Sequence, residues 1–380
     1  MTARTHRHEG SARVVIRCRD LDANLAFFTD VAGFRIDRIS PADSPREVDL
    51  GGHGIGLRLL VADVDEAGII TVDPTPGAET TLSPGSHTAP NGTVIEFTEP
   101  RPAVVVPPGD QVLEISRLAD STDFASGRAG MGYRDLVPNR VGGRFIASHI
   151  RIAEGGPVPD YVHFHKIRFQ MIYCYKGWVR VVYEDQGAPF VLRPGDCVLQ
   201  PPEIRHRVLE SSPGLEVIEI GCPAEHDTFA DHTVALPTRT VDPDRDFGGQ
   251  RFVRHVADGA RWVPSTLPGF EHRDIGIGVA TGGLAGARVH RPLGAARWDA
   301  ALRHDGEFLF VFVLQGKLTL RIGPSHELLE AGDSAVIPAG SAFELEASTD
   351  AERLEVTLPA DLRVIAEVCP ERPGGERVLA

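Results

Sequence analysis

The sequence contains no long apolar run, no paired cysteines and no excess of positive charge. Nothing in its 380 residues approaches the roughly 18 consecutive apolar residues of a transmembrane helix, and the polar residues 1–10 do not resemble a signal peptide. The five cysteines are scattered without a C-x-x-C pair, which is typical of reduced thiols rather than of a disulfide framework. These absences predict a cytoplasmic protein that does not contact a membrane.

The net charge of −14 argues against a nucleic-acid partner, because binding to phosphates requires clustered positive charge. The partner expected instead is a small-molecule substrate, and a homodimer is compatible with the composition. The length predicts two or three domains. With 29 prolines and 40 glycines, the chain favours many short strands and turns over long helices.

The N-terminal part of the chain alternates short strands with one helical segment. Residues 13–18 are predicted to form a strand, and Asp20 can cap a helix in which Leu21, Leu25 and Phe28 follow helical spacing. Further strands are predicted at residues 33–39, 47–50, 55–60 and 93–97. This β-α-β-β-β order resembles one module of the vicinal oxygen chelate (glyoxalase-like) superfamily.

This resemblance implies an accessory or dimerisation module over residues 1–105. Metal-binding members of the superfamily carry a histidine on the first strand, where this chain has Arg13. Glu96 matches the carboxylate that the family places on a late strand, but a single ligand does not make a site. The resemblance therefore implies a module that has no metal of its own.

Three histidines and a glutamine follow strand spacing further along the chain. His163 and His165 are two residues apart, so on a strand they face the same side, together with Tyr161. Four residues separate His165 from Gln170 across a turn, and His206 must reach the cluster from another strand. Imidazoles on neighbouring strands of a small barrel can converge on one metal ion.

These residues resemble the two sequence motifs of the cupin superfamily. The first motif is matched by Gly155, Gly156, His163, His165, Gln170 and Gly177, and the second by Gly195, Pro201, Glu203 and His206. Gln170 replaces the usual glutamate, and Glu203 replaces a turn glycine. The resemblance implies a double-stranded β-helix, or jelly-roll, barrel in which His163, His165, His206 and Gln170 surround a metal.

The uncharged Gln170 affects the chemistry expected of the site. A divalent ion among three neutral imidazoles stays electrophilic and favours an anionic ligand such as an enolate, a phenolate or a carboxylate. Gln170 either contributes a weak amide oxygen or hydrogen-bonds to a water or the substrate, and Tyr161 is a candidate proton donor. The ligands do not identify the metal, so iron is the first choice and zinc, nickel, manganese and copper are alternatives.

Strand parity predicts a mainly apolar wall around the metal. Ile172 and Cys174 face inward with Gln170, and Val208 faces inward with His206. Arg207 has outward parity and is expected to be a surface charge. No acidic or basic side chain is expected next to the metal.

A second half of the chain repeats the first. Gly316 follows Gly177 by 139 residues, and residues 332–338 repeat residues 195–201 at an offset of 137. The equivalents of His163, His165, Gln170 and His206 are Leu302, His304, Leu309 and Phe343. We therefore expect a mainly β protein with a small βαβββ module, a metal-binding cupin domain at residues 106–225 and a degenerate cupin domain at residues 226–380.

Three functions are compatible with this bicupin pattern. Many cupins with three histidines are oxygenases, and quercetinase-like bicupins cleave enolic or phenolic substrates with O₂, so the resemblance implies a metal-dependent dioxygenase. The alternatives are an isomerase, cyclase or lyase that uses the ion as a Lewis acid, and a non-enzymatic small-molecule-binding bicupin. A hydrolase is less favoured because the motif supplies no general base beside the metal.

Overall fold

The computed structural model describes residues 12–41, 44–72, 85–98, 104–121, 124–267, 269–294, 296–297, 301–362 and 364–367. Residues 1–10, for which no signal peptide is predicted, lie outside these ranges. The chain forms two compact units, Met1–Ala103 and Val104–Ala380, and it is mainly β as predicted. Among the described residues, no helix is both long and apolar enough to span a membrane.

In the residues described, the N-terminal unit contains two small sheets and one α-helix. Its elements are β1 (Val14–Cys18), α1 (Leu21–Ala26), a π-helical turn (Phe27–Val31), β2 (Arg35–Ser40), β3 (Glu47–Gly52), β4 (Ile55–Val61), β5 (Ile69–Val72), β6 (Gly85–Thr88) and β7 (Val94–Phe97). The strand orders are β1-β4-β3-β2 and β5-β7-β6, with β1 parallel to β4. Asp20 caps α1 as predicted, and Arg13 lies 3.5 Å from the carboxylate of Asp49.

The second unit begins with strands that form the first barrel. Its elements are β8 (Glu114–Ser116), 3-10 turns (Leu118–Asp120 and Arg128–Gly130), β9 (Ala125–Ser126), β10 (Gly132–Asp135), α2 (Arg140–Gly143), β11 (Ile146–Ile152), β12 (Gly156–Pro157), β13 (His163–His165), β14 (Phe169–Lys176), β15 (Val179–Tyr183), β16 (Phe190–Leu192), β17 (Cys197–Leu199), β18 (His206–Ser211), β19 (Leu215–Cys222), β20 (Thr228–Ala230) and β21 (Val253–His255). Two sheets, β21-β17-β14-β19-β11-β10-β9 and β16-β15-β18-β13-β20, form the barrel walls.

The second barrel repeats this arrangement. Its elements are β22 (Val263–Pro264), β23 (Phe270–Asp274), α3 (Ile277–Ala280), β24 (Gly286–Pro292), β25 (Ala296–Arg297), β26 (Ala301–His304), β27 (Phe308–Gln315), β28 (Lys317–Ile322), β29 (Ser325–Glu330), β30 (Ser334–Val336), β31 (Phe343–Ala347), β32 (Glu352–Leu358) and β33 (Val364–Glu367). Its sheets have the orders β22-β23-β24-β32-β27-β30-β8 and β29-β28-β31-β26-β33.

The second barrel takes one edge strand from the segment before the first barrel. β8 precedes the first barrel in sequence but pairs with β30 of the second barrel. β21 follows the first barrel and pairs with β17, which belongs to it. The second barrel therefore completes one sheet with a strand that precedes the first barrel in sequence.

One sheet of each barrel packs against the other in a shared core. β27 is buried on both faces, which explains its continuous apolar sequence. Leu309 and Val311 point into the second barrel, whereas Phe308 belongs to the core that both barrels share. Its ring stacks on that of Phe145 in the first barrel, with ring centroids 4.1 Å apart. The second barrel thus buries one sheet face of the first.

Gly177 forms the turn between β14 and β15 in a conformation that other residues adopt at a cost. Its φ is +71°, and a Cβ there would lie 2.4 Å from the Oγ of Ser212. That hydroxyl accepts a hydrogen bond from the backbone N–H of Trp178, so it is held in place. Gly214 has a similar φ of +66°, but a Cβ there would meet no heavy atom within 4 Å.

We therefore expect Gly177→Ala to lower the free energy of unfolding by roughly 2–3 kcal/mol, because backbone strain and overlap with Ser212 add. Gly214→Ala should lose only about 1 kcal/mol, from the left-handed backbone alone. Thermal unfolding followed by circular dichroism measures both changes. Equal losses in the two variants would show that the contact with Ser212 is irrelevant.

Candidate metal centre

Two neighbouring strands bring three predicted ligands together. His163 and His165 lie on β13, and His206 begins β18 directly opposite His163 in the strand pairing. All three are buried, with exposures of 1%, 9% and 5%. One nitrogen from each ring lies within 4.8 Å of the others. The three imidazoles therefore form a cluster that fits a single metal ion.

The outer nitrogen of each ring is already hydrogen-bonded. Nδ1 of His163 lies 2.8 Å from the carbonyl oxygen of Tyr161, and Nδ1 of His206 lies 2.9 Å from that of Ile204. Nδ1 of His165 lies 3.2 Å from the hydroxyl oxygen of Thr228. A carbonyl only accepts, so His163 and His206 carry the proton on Nδ1 and present Nε2 as a lone-pair donor. This donor set is what a bound divalent transition metal requires.

The turn before His206 also supports the cluster. Glu203, which occupies the place of the usual glycine, adopts a left-handed conformation with a φ of +61°. Its backbone N–H donates to the carbonyl of His165 at 3.0 Å. The glutamate thus preserves the glycine-type turn, which ties the segment leading to His206 to the strand that carries His165.

The three histidines open onto a cavity of about 100 Å³ inside the first barrel. Its other walls are mainly apolar, and they include Ile172 and Val208 as strand parity predicts. This volume is below the roughly 150 Å³ of a cavity known to hold benzene, so it admits only a small substrate. The remaining lining residues are Met131, Tyr133, Ile150, Ile152, Gln170, Val179, Val181, Tyr183, Leu192, Gln200, Arg207, Leu215, Val217 and Glu219.

A carboxylate that sequence reasoning missed lines this cavity. Glu219 lies on β19 beside Gln170 on β14, and the amide nitrogen of Gln170 donates to its Oε1 at 2.6 Å. An ionised carboxylate only accepts, so the amide presents its NH₂ to Glu219 and directs its carbonyl oxygen away. The expectation that no acidic side chain lies near the metal site was therefore wrong.

The position of Arg207 also differs from the predicted one. Parity predicted an exposed charge, but the residue is half-buried and is part of the cavity lining. Its Nε is buried and has no hydrogen-bond partner among the described residues. The cavity therefore has a cationic residue in its wall as well as a carboxylate.

Tyr161, the predicted proton donor, lies outside the cavity, whereas Tyr183 lines it. The side chain of Tyr161 is 41% exposed and does not line the cavity, so its role as proton donor stays a prediction. Tyr183 lines the cavity, stacks on His206 with centroids 5.5 Å apart and accepts a hydrogen bond from Gln200 at 2.8 Å. Burial raises the pKa of Tyr183, so its phenol stays protonated near neutral pH.

The second barrel keeps the strand register of the site without its ligands. Leu302 pairs with Phe343, as His163 pairs with His206. His304 survives, but its Nε2 lies 2.8 Å from the carbonyl of Ile337 and its Nδ1 accepts from the N–H of Gly306. Both ring nitrogens are thus used for structure.

Glu307, three residues after His304 in the sequence, forms ion pairs and is not a metal ligand beside it. Its carboxylate accepts hydrogen bonds from Arg144 at 2.7 Å and from Arg168 at 2.9 Å, both in the first barrel. Its hydrogen bond with Arg168 is the main reason why its pKa is lowered to about 2. Glu307 therefore links the two barrels through ion pairs.

Comparisons with known proteins support the cupin fold. Residues 293–358 match the family described as Cupin domain. The structure is similar to salicylate 1,2-dioxygenase from Pseudaminobacter salicylatoxidans, with a TM-score of 0.50 and 14% identity over 70% of this chain and 91% of that chain. It is also similar to oxalate decarboxylase from Bacillus subtilis, with a TM-score of 0.51 and 11% identity over 66% and 78% of the two chains. A comparison with curated protein sequences found no match.

At these identities the similarity establishes the fold and not the reaction. The predicted architecture of cupin barrels is confirmed. The resemblance of the N-terminal module to the glyoxalase-like superfamily is not tested by these comparisons and stays a prediction.

Purified protein is expected to contain one equivalent of a transition metal per chain. His163→Ala should abolish the bound metal, because it removes one of three converging donors. His304→Ala is the matched control and should keep the metal, because His304 is the equivalent of His165 with both nitrogens used for structure. Elemental analysis of the three proteins measures this. Loss of metal in His304→Ala alone, or retention in His163→Ala, would contradict the assignment.

Proposed function

We propose that the first barrel is the active centre of a metal-dependent dioxygenase for a small chelating substrate with an enolic, phenolic or carboxylate group. The observation that supports this most is the convergence of three buried imidazoles on one wall of a small, mainly apolar cavity. An apolar cavity with few polar groups is typical of sites that bind small organic molecules.

His163, His165 and His206 would hold the metal. A divalent transition metal there, iron first and zinc, nickel, manganese or copper as alternatives, would supply Lewis acidity and, if redox-active, reactivity towards O₂. The imidazoles contribute no charge, so the site attracts an anionic group of the substrate. The hydrogen bonds to their Nδ1 atoms fix the orientation of the rings before any substrate arrives.

The residues of the chain determine which substrate fits and where its proton goes. The cavity of about 100 Å³ excludes large molecules, and its aliphatic walls exclude water. Glu219 is the carboxylate in the wall that can accept a proton from a substrate hydroxyl group. Gln170 holds this carboxylate at 2.6 Å and offers its carbonyl oxygen to the substrate or to a water. Gln170 is thus a positioning residue in this proposal.

Glu219 also supports a second candidate function. A metal-dependent isomerase, cyclase or lyase needs a base that moves a proton at carbon while the ion polarises a carbonyl. The first barrel offers both a carboxylate and a metal cluster in one cavity. The two functions differ in whether O₂ is consumed.

An oxygen electrode distinguishes them. Protein loaded with Fe(II) without air is mixed with salicylate, catechol, acetylacetone or oxalate, and O₂ is then admitted. We expect at least one of these chelators to be converted with equimolar uptake of O₂, and we expect no uptake with His206→Ala treated identically. Conversion at the same rate without O₂ would instead support the isomerase or lyase.

The proton-transfer role of Glu219 is tested by Glu219→Gln. We expect kcat to fall by roughly 10²–10⁴, the usual contribution of a general base, while the metal content stays unchanged. Glu216→Gln is the matched control, because Glu216 lies on the same strand but pairs with His149 at 2.9 Å and with Lys176 at 3.1 Å outside the cavity. Equal rates in Glu219→Gln and in the wild type would eliminate Glu219 as the base.

A further inference from the structure

The second barrel encloses a larger cavity than the first, although it lacks the metal ligands. Its volume is about 470 Å³, against about 100 Å³ in the first barrel. One sheet contributes Leu302 and Phe343, which replace ligands. The opposite sheet contributes Leu309, which also replaces a ligand, together with His272, His290, Arg288 and Glu355. The loss of the metal site has therefore left an open and partly polar space.

The strand register relates the two histidines of this cavity to their equivalents in the first barrel. Tyr133 pairs with Ile150 in the first barrel, and His272 pairs with His290 at the equivalent place in the second. Ile150 lines the first cavity and His290 lines the second. The histidines of the second cavity thus stand where the first has a tyrosine and an isoleucine, on the sheet opposite Leu302 and Phe343.

The pairing also identifies the equivalent of Glu219. Glu219 pairs with Ile172, and Glu355 pairs with Val311, in the same two strands of each barrel. Both carboxylates line the cavity of their barrel. The second barrel therefore keeps this carboxylate while it places histidines beside it.

The cavity wall contains a buried histidine, His290, with an unused ring nitrogen. It is 5% exposed and lines the cavity, and its Nδ1 has no hydrogen-bond partner within the part of the chain that the structure describes. Its Nε2 lies 3.3 Å from Oε1 of Glu355, and its ring centroid is 5.5 Å from that of His272. A buried polar atom without a partner is destabilising, so a bound molecule that supplies a partner to Nδ1 is favoured here.

This cluster is arranged for hydrogen bonding to an organic molecule rather than for a metal. Within the described ranges, the three histidines of the first barrel are the only group of three or more potential ligands whose donor atoms lie within 4.8 Å of one another. Burial lowers the pKa of His290, so the neutral ring has one N–H donor and one acceptor nitrogen.

The charges around the cavity are already balanced. Arg288 donates to Asp274 at 3.1 Å, and Arg353 donates to Glu355 at 3.4 Å. A charged ligand would therefore find no uncompensated opposite charge, and its burial would carry a large desolvation cost. A hydroxyl group matches better, since it can donate to a carboxylate and accept from an imidazole.

We propose that the second barrel binds an uncharged molecule with an apolar ring system and a hydroxyl group, the hydroxyl at His290 and Glu355 and the rings against Leu302, Leu309 and Phe343. This site is separate from the metal centre and does not depend on its reaction. The volume accommodates a ligand about the size of two fused rings.

Isothermal titration of the full-length protein with 2-naphthol tests this. We expect one molecule bound per chain. His290→Leu should weaken binding by about ten-fold or more, the equivalent of one or more lost hydrogen bonds. Leu309→Trp, which fills the cavity, should abolish binding. His255→Leu is the matched control, because His255 is also partly buried with an unpartnered Nε2 but lines neither cavity.

Two comparisons test the chemistry and the location. 2-Naphthoate and naphthalene should each bind at least about ten-fold more weakly than 2-naphthol, because the first is charged and the second lacks the hydroxyl. Ile172→Trp, which narrows the first cavity, should leave 2-naphthol binding unchanged. Unaltered binding in both His290→Leu and Leu309→Trp, tighter binding of 2-naphthoate, or no binding of 2-naphthol to the wild type would each overturn the proposal.

Discussion

The pairing of His163 with His206 across β13 and β18 is the contact on which the candidate site depends. It brings residues far apart in sequence face to face, and His165 joins them from the same strand as His163. Main-chain carbonyls then hold Nδ1 of His163 and His206. The backbone therefore sets both the position and the tautomer of these rings, and the side chains need little further adjustment to bind an ion.

The two barrels share their strand pairing but differ in the residues that face the barrel interior. Leu302 and Phe343 occupy the same paired positions as His163 and His206, so the second barrel retains the register while its metal-facing wall has become apolar. Its outer sheet face contributes Phe308 to the core shared with the first barrel. The second barrel thus stabilises the first through this shared core. Its interior does not have to hold a metal.

Local patterns were enough to predict the barrels and the histidine cluster. Residues two apart on a strand share a face, so His163 and His165 had to lie together, and the offset of the glycine turns revealed the second barrel. Glu219 was missed because its meeting with Gln170 depends on how β14 and β19 align, which spacing along one strand does not show. The pairings of β8 with β30 and of β21 with β17 escaped prediction for the same reason, since both are long-range.

The central claim is that one metal ion binds in the first barrel and that the equivalent position of the second barrel holds none. Anomalous X-ray diffraction from crystals of the purified protein, recorded on both sides of the absorption edge of the metal present, tests this most directly. We predict a single anomalous peak per chain, between the imidazoles of His163, His165 and His206. A peak in the second barrel near His304, or a metal-containing crystal with no peak at the three histidines, would contradict it.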